Sequence, residues 1–322
     1  MSKASGHKKQ HFIPQCYLKV WCDPDTPENY DPYVWVFTKD GETLKNKAPE
    51  NIFHENNMYS INRADGKRHL VLEHGLNQLE TDFTEIRNRK LELKQSLTDE
   101  EHVKLCAFTA ALQARTKATR EHHKNQWKQP LEMMERLSEW AKIATSEQKK
   151  KAFSLVEPPS SEGSSFTYED VKKIVDTPMQ RLLLPLIEAI TPNLCVLDLA
   201  ALTTDDDIGF ITSDNPCVWF DPEAYKRPPL YRGPALIYDT IEITAPISPR
   251  QCLFFNRRGI SGYIDVKLMW VDEINRRTRF LCDEYFIVRK NHKKDMWFNA
   301  GLEPEDSWDK KRKKQNDKRK DP

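Results

Sequence analysis

A histidine and a glutamine flank a proline near the start of the chain, in His11-Phe12-Ile13-Pro14-Gln15. Pro14 fixes its own φ and favours extended geometry at Ile13, so the segment is stiff. An imidazole titrates near neutral pH and can act as a general base or bind a metal ion. We therefore take His11 and Gln15 as candidate site residues. The alternative is that both side chains anchor the terminus through buried hydrogen bonds.

Two glutamates, Glu73 and Glu80, are seven residues apart in a segment whose apolar residues repeat with helical spacing. That separation is about two helical turns, so both carboxylates project from one face. Such a pair can bind a divalent cation, and the alternative is a pair of ordinary solvated glutamates.

Arg115 ends a run of mostly small residues, Ala110-Ala111-Leu112-Gln113-Ala114. A guanidinium on such a face is costly unless it meets a carboxylate or a phosphate, which makes Arg115 a strong candidate. With His122 it also has the R-x6-H spacing of a class of metal-independent ribonucleases built on helical bundles, a two-residue pattern that often occurs by chance.

Asp214 lies in Thr212-Ser213-Asp214-Asn215-Pro216, directly after a predicted strand. Loops at strand ends often carry ligand-binding side chains. The alternative is turn chemistry, in which Asp and Asn side chains bond to the local backbone.

Hydrophobic periodicity predicts the elements that must position these residues. Short β-branched and aromatic runs with Asp-Gly turns fill residues 11–71, amphipathic helical patterns fill 72–191, and short strands return over 195–303 with a helix at about 267–280. This order predicts an α+β fold, in which a mostly antiparallel sheet of N- and C-terminal strands packs against a central helical layer.

Helix boundaries follow from capping residues. Thr98 with Glu101, and Thr167 with Asp170, have the spacing of capping boxes. The helix that begins after Thr167 is expected to continue to Ile190 and to stop at Thr191-Pro192.

Composition sets limits on the class of protein. The chain has 322 residues, 38% of them hydrophobic, with a net charge of +1. Its seven cysteines are scattered and form no C-x-x-C, which argues against a disulfide framework and a zinc ribbon. It has no apolar stretch of membrane-spanning length and no signal peptide, so we predict a cytoplasmic protein without membrane contact.

Residues 1–303 are expected to form a single domain, followed by a basic and disordered tail at 304–322. The tail holds the run Lys310-Lys311-Arg312-Lys313-Lys314, which could contact the phosphate backbone of a nucleic acid.

The chain resembles a mainly bacterial family, domain of unknown function 4238. The segments that carry the resemblance are His11 to Leu18, Leu79-Glu80, Gln113-Ala114-Arg115, Ile211 to Pro216 and Pro246-Ile247-Ser248-Pro249. The resemblance implies that five side chains converge in one pocket, namely His11, Gln15, Glu80, Arg115 and Asp214. His122 and the basic tail lie outside this pattern.

Two functional hypotheses follow. In the first, the chain is a nuclease-like phosphodiester hydrolase of phage defence or a mobile element, with Mg²⁺ or Mn²⁺ held by His11, Glu80 and Asp214. His11, Gln15, Arg115 and Asp214 are its candidate catalytic residues, and nucleic acid is bound through Arg115 and the basic tail. In the second, the chain is a non-catalytic nucleotide- or anion-binding subunit of a defence complex with a protein partner, with Arg115 as the anion clamp.

Overall fold

The computed structural model describes residues 9–62, 68–154 and 166–299, together with Lys310, Arg312 and Lys313. Helices occupy the middle of this part of the chain and strands lie on either side of them. The protein has the α+β fold that the sequence predicts. The bounds of the helices are α1 (Gln15–Leu18), α2 (Val71–Ile86), α3 (Asp99–Ala114), α4 (Lys117–Ile143), α5 (Ser146–Ser154), α6 (Tyr168–Asp176), α7 (Pro178–Cys195) and α8 (Leu268–Leu281).

The strands are short and almost all antiparallel. Their bounds are β1 (Lys9–His11), β2 (Val34–Thr38), β3 (Leu44–Lys47), β4 (His54–Asn56), β5 (Ile61–Asn62), β6 (Arg68–His69), β7 (Asp198–Thr203), β8 (Thr212–Ser213), β9 (Val218–Phe220), β10 (Glu242–Ser248), β11 (Gln251–Asn256), β12 (Gly262–Asp265) and β13 (Tyr285–Val288).

A four-stranded sheet joins the two ends of the chain, in the order β3-β2-β13-β8. The hairpin of β2 and β3 turns at Gly41, whose φ of +76° is one that glycine adopts without strain. The predicted sharing of a sheet by N- and C-terminal strands is therefore confirmed. A second sheet, in the order β12-β7-β11-β10-β9, is built from the C-terminal strands alone and contains one parallel pair, β12 with β7.

Both predicted capping boxes are present, at Thr98 with Glu101 and at Thr167 with Asp170. The sequence predicts one helix from Thr167 to Ile190, and this prediction is wrong. Thr177 precedes Pro178 and leaves helical geometry, so α6 ends at Asp176 and α7 begins at Pro178. The prediction that Pro192 stops this helix is also wrong.

Helix α7 contains both Pro185 and Pro192 and continues to Cys195. Its buried residues include Met179, Leu183 and Leu194, and it packs against α3. Burial of this apolar face outweighs the backbone hydrogen bonds that the two prolines remove.

The core ties the N-terminal segment to both the helices and the strands. Tyr17 is fully buried, and its hydroxyl lies 2.6 Å from Thr212 Oγ1 and 2.6 Å from the Pro246 carbonyl oxygen. The Trp21 indole donates to the Phe210 carbonyl at 3.0 Å. The segment that follows His11 is thus held in place by buried hydrogen bonds of Tyr17 and Trp21, in agreement with the stiffness that its sequence predicts.

The predicted 304–322 tail lies outside the described residues, apart from Lys310, Arg312 and Lys313. Within the described part of the chain, no helix combines the length and the apolar character that crossing a membrane requires.

Candidate functional site

A two-stranded ribbon positions His11. Strand β1 pairs antiparallel with β4, and this register sets His11 directly opposite His54. Their imidazole rings meet edge to face, with centroids 5.3 Å apart. The Phe12 amide donates to the Phe53 carbonyl at 2.8 Å and closes the ribbon beside the pair.

Gln15 and Glu50 hold the ring of His11 from two sides. Gln15 is the first residue of α1, and its Nε2 lies 3.4 Å from His11 Nδ1. The backbone carbonyl of Glu50 lies 3.3 Å from His11 Nε2. Burial and the neighbouring His54 lower the pKa of His11, while the Glu50 carbonyl and the Glu80 carboxylate oppose that change. A neutral imidazole at pH 7 is available as a base.

Arg115 forms an ion pair with Glu80. Its Nη1 donates to Glu80 Oε1 at 2.9 Å, and the arginine is only 1% exposed. Burial lowers the pKa of Arg115, but opposing interactions, chiefly the negative charge of Glu80, more than offset this, and the net change is upward. The guanidinium meets a carboxylate, one of the two partners that its place on the small-residue face predicts.

His11 and Glu80 share an open polar cleft of about 370 Å³, which we call the N-terminal cleft. Gln10 also lines this cleft, and its Nε2 donates to Glu73 Oε2 at 2.8 Å and to Ser60 Oγ at 3.2 Å. The residues of this lining that bear on chemistry are His11, Gln15, Cys16, Tyr59, Glu73 and Glu80.

Asp214 lies away from this cleft. Its Oδ1 accepts from the Asp283 amide at 2.8 Å, and its Oδ2 accepts from the amides of Glu284 and Tyr285 at 2.7 and 2.8 Å. Burial raises the pKa of Asp214, although these three donors oppose the change. Of the five side chains expected in one pocket, the structure brings His11, Gln15, Glu80 and Arg115 together and places Asp214 elsewhere, where it fixes the turn before β13.

A second cleft of about 230 Å³ is lined by His54 of β4, and we call it the lysine cleft. Its polar lining includes Lys45, Lys47, His54, Lys117 and Asp214, and its apolar lining includes Phe12, Phe53 and Tyr285. Lys45 and Lys47 are exposed on edge strand β3, and within the described residues neither forms an ion pair. Sequence analysis missed this cleft. The available signal was the alternation Lys45-Asn46-Lys47 in a predicted strand after an Asp-Gly turn.

The comparisons with known proteins show the family. The model of the family described as "Protein of unknown function (DUF4238)" matches residues 9–293. The chain belongs to this family. Comparison with curated proteins and with solved structures gives no match. The matched residues of this DUF4238 member include both clefts and the ribbon between them.

The predicted metal ligands are not assembled in one place. His11 and Glu80 line the N-terminal cleft, whereas the carboxylate of Asp214 accepts hydrogen bonds from three backbone amides elsewhere. Among the described residues, no group of three or more His, Cys, Asp or Glu side chains has an arrangement suited to a metal ion. The two residues of the R-x6-H pattern also do not share a site. Arg115 is buried against Glu80, whereas His122 is exposed on α4 beside His123.

Proposed function

We propose that this DUF4238 member cleaves phosphodiester bonds in nucleic acid, with His11 as the general base. One observation supports the proposal above others. His11 stands on a ribbon between a cleft that contains two carboxylates and a cleft lined by three lysines. Cleavage of a phosphodiester needs a base beside a cationic surface that holds the phosphate, and this ribbon offers both.

The neighbours of His11 act as positioning residues. Gln15 and the Glu50 carbonyl orient the imidazole, and Arg115 fixes Glu80 in the wall of the cleft. This assignment changes the role expected for Arg115, which was to stabilise charge on the phosphate. A guanidinium that is 1% exposed and bonded to Glu80 suits a supporting role better. Likewise Asp214 suits the support of a turn better than catalysis.

Participation of Mg²⁺ or Mn²⁺ stays a prediction from the sequence. The described residues do not supply three converging ligands, so no step of the proposed reaction is assigned to a metal ion. Action in phage defence or in a mobile element also stays a prediction, and a phage-challenge assay with the wild-type and His11→Ala genes would test it.

The test is cleavage of labelled single-stranded RNA and DNA by the full chain, with EDTA, Mg²⁺ or Mn²⁺ in separate arms. We expect wild-type protein to cut at least one substrate and His11→Ala to lose about a hundredfold or more of that rate. His122→Ala is the matched control, because it removes an exposed histidine of α4 and should keep full activity. Equal rates for wild type and His11→Ala would refute the assignment.

The lysine cleft also favours a second function, binding of a nucleotide or another anion without turnover in a regulatory subunit. Lys45 and Lys47 carry charge without an ion-pair partner in the described part of the chain, and aromatic side chains line the same cleft. Arg115 does not serve as the anion clamp of this alternative, because it is buried against Glu80. Saturable oligonucleotide binding with no product in any metal arm would favour the subunit, and a protein partner would then be sought by co-purification.

A further inference from the structure

His11 and His54 form a pair of imidazoles held by backbone pairing. They are directly opposed across β1 and β4, with ring centroids 5.3 Å apart. His11 lines the N-terminal cleft and His54 lines the lysine cleft, so the pair bridges the two. Within the described residues, the ring of His54 has no hydrogen-bond partner and contacts only that of His11 among aromatic rings. Its nitrogens are open to an incoming group.

Lys117 lies beside this pair. It is the first residue of α4, its Nζ lies 5.2 Å from the Phe12 ring centroid, and it lines the lysine cleft together with His54. Its nearest carboxylate partner is Glu55, at 3.6 Å. Glu55 also bonds to Arg120, so Lys117 shares its carboxylate partner with a second cation, and that carboxylate neutralises the Lys117 ammonium only in part.

We propose that His11 and His54 act as the general base and general acid in cleavage of RNA by its own ribose 2′-hydroxyl, with Lys117 stabilising charge on the phosphate. The inference rests on the proposed function and narrows its substrate to RNA. Two imidazoles and an ammonium around one phosphate supply the proton transfers and the charge that this reaction needs. The nucleophile comes from the substrate, so the reaction needs no metal-bound water.

The reaction balances as an internal transfer. His11 takes the proton of the 2′-hydroxyl while the 2′-oxygen forms a bond to phosphorus. The bond from phosphorus to the 5′-oxygen breaks, and His54 gives its proton to that oxygen. The products are a 2′,3′-cyclic phosphate and a 5′-hydroxyl, and exchange with water returns each histidine to its starting state.

Local contacts assign the two roles. The Glu50 carbonyl accepts a hydrogen bond from His11 Nε2, so the proton of the neutral ring lies on Nε2 and the lone pair on Nδ1. Gln15 Nε2 lies 3.4 Å from Nδ1, a long hydrogen bond that a substrate hydroxyl can replace. His54 lies near Lys9 and Lys117, and burial and these two ammonium groups lower its pKa. His54 is thus a stronger acid when it carries a proton, and that protonated form is populated chiefly below the ordinary pKa of histidine. Besides His54, the charged groups that face His11 are Glu80 and Arg115.

The test uses a DNA oligonucleotide with one ribonucleotide, an all-DNA control and EDTA throughout. We expect cleavage only after the ribonucleotide, a cyclic phosphate by mass spectrometry, and a loss of about a hundredfold in both His11→Ala and His54→Ala. The rate should follow a bell-shaped pH profile with its maximum below pH 6.5, the ordinary pKa of histidine.

Four outcomes would overturn the inference, and they separate it from the proposed function. Cleavage of all-DNA at the same rate, or a strict need for Mg²⁺ or Mn²⁺, would leave a phosphodiesterase but remove the two-histidine reaction. Full activity in His54→Ala with loss in His11→Ala would remove the acid role alone. No cleavage of any substrate in any arm would reject both. Thermal unfolding of each variant shows whether a loss of rate comes from a loss of fold.

Discussion

Arg115 Nη1 lies 2.9 Å from Glu80 Oε1, and the two members of this ion pair differ in their access to water. The arginine side chain is 2% exposed and the glutamate side chain 23% exposed. Two other nitrogens of the guanidinium, Nε and Nη2, are buried with no hydrogen-bond partner within the described residues. Glu80 is therefore the main compensation for a buried cation, whereas Glu80 itself can turn to solvent.

This asymmetry predicts unequal costs for the two single variants. Glu80→Gln leaves one oxygen that can accept from Arg115 but removes the negative charge beside a buried guanidinium, and should lower the free energy of unfolding by up to about 3–5 kcal/mol. Arg115→Met keeps the apolar stem and leaves a carboxylate that water can reach, so it should cost less. Urea denaturation measures both. Arg89→Met, which breaks an exposed pair with Glu85 on α2, should cost at most about 1 kcal/mol. A larger loss for Arg115→Met than for Glu80→Gln would contradict this account.

Asp214→Asn should destabilise the protein without a direct effect on chemistry. The carboxylate accepts three backbone amides with two oxygens, whereas an asparagine side chain offers one oxygen. Loss of a buried partner costs about 1–3 kcal/mol, which corresponds to a melting temperature several degrees lower. The measurement is thermal unfolding beside kcat at a temperature where the variant is folded. Abolished kcat with an unchanged melting temperature would return Asp214 to the active site.

The melting temperature should fall as the pH is lowered through the histidine range. Burial lowers the pKa of both His11 and His54 below the ordinary value of 6.5, so the folded state binds protons less readily than the unfolded chain. The contribution of these two histidines to the free energy of unfolding is most favourable above pH 6.5, where both are neutral in the folded and unfolded states. It falls as the pH drops below 6.5, because the unfolded chain then binds protons more readily than the folded state. Scans from pH 8 to pH 5 should show a shallower decline for His11→Ala and His54→Ala than for wild type. Parallel curves would contradict the pKa shifts.

The lysines of β3 should control the salt dependence of nucleic-acid binding. Each phosphate contact contributes roughly one to the slope of log K against log salt, so Lys45→Ala with Lys47→Ala should reduce that slope by up to about two. Fluorescence anisotropy with a labelled oligonucleotide measures it. Lys150→Ala with Lys151→Ala, two exposed lysines of α5, is the control of equal charge. The same slope in both double variants would show that nucleic acid binds elsewhere.

The sequence predicted what depends on local chemistry. The two capping boxes, the Asp-Gly hairpin and the helix near 267–280 all follow from residues a few positions apart, and all are present. It failed at Thr177-Pro178, where the predicted helix is interrupted. It also failed at Pro192, because tertiary burial of α7 against α3 outweighs a local stop signal.

The site was predictable only in part. The contact of His11 with Gln15 is local, and the meeting of Arg115 with a carboxylate follows from the cost of burying a guanidinium. The pairing of His11 with His54 depends on the register of β1 and β4, which no local pattern specifies. Asp214 was misplaced because a strand-end aspartate has the same sequence signature whether it binds a ligand or its own backbone.

The place of β13 between β2 and β8 bears on the order in which the protein is made. The β2 and β3 hairpin is synthesised before the helices, but the strand that covers the inner edge of β2 is the last strand in the part of the chain that the structure describes. Until then, β2 offers unpaired backbone groups and an apolar face that includes Phe37. The nascent chain is thus most exposed to aggregation during synthesis of its helical middle, and a truncation before residue 285 would make that exposure permanent.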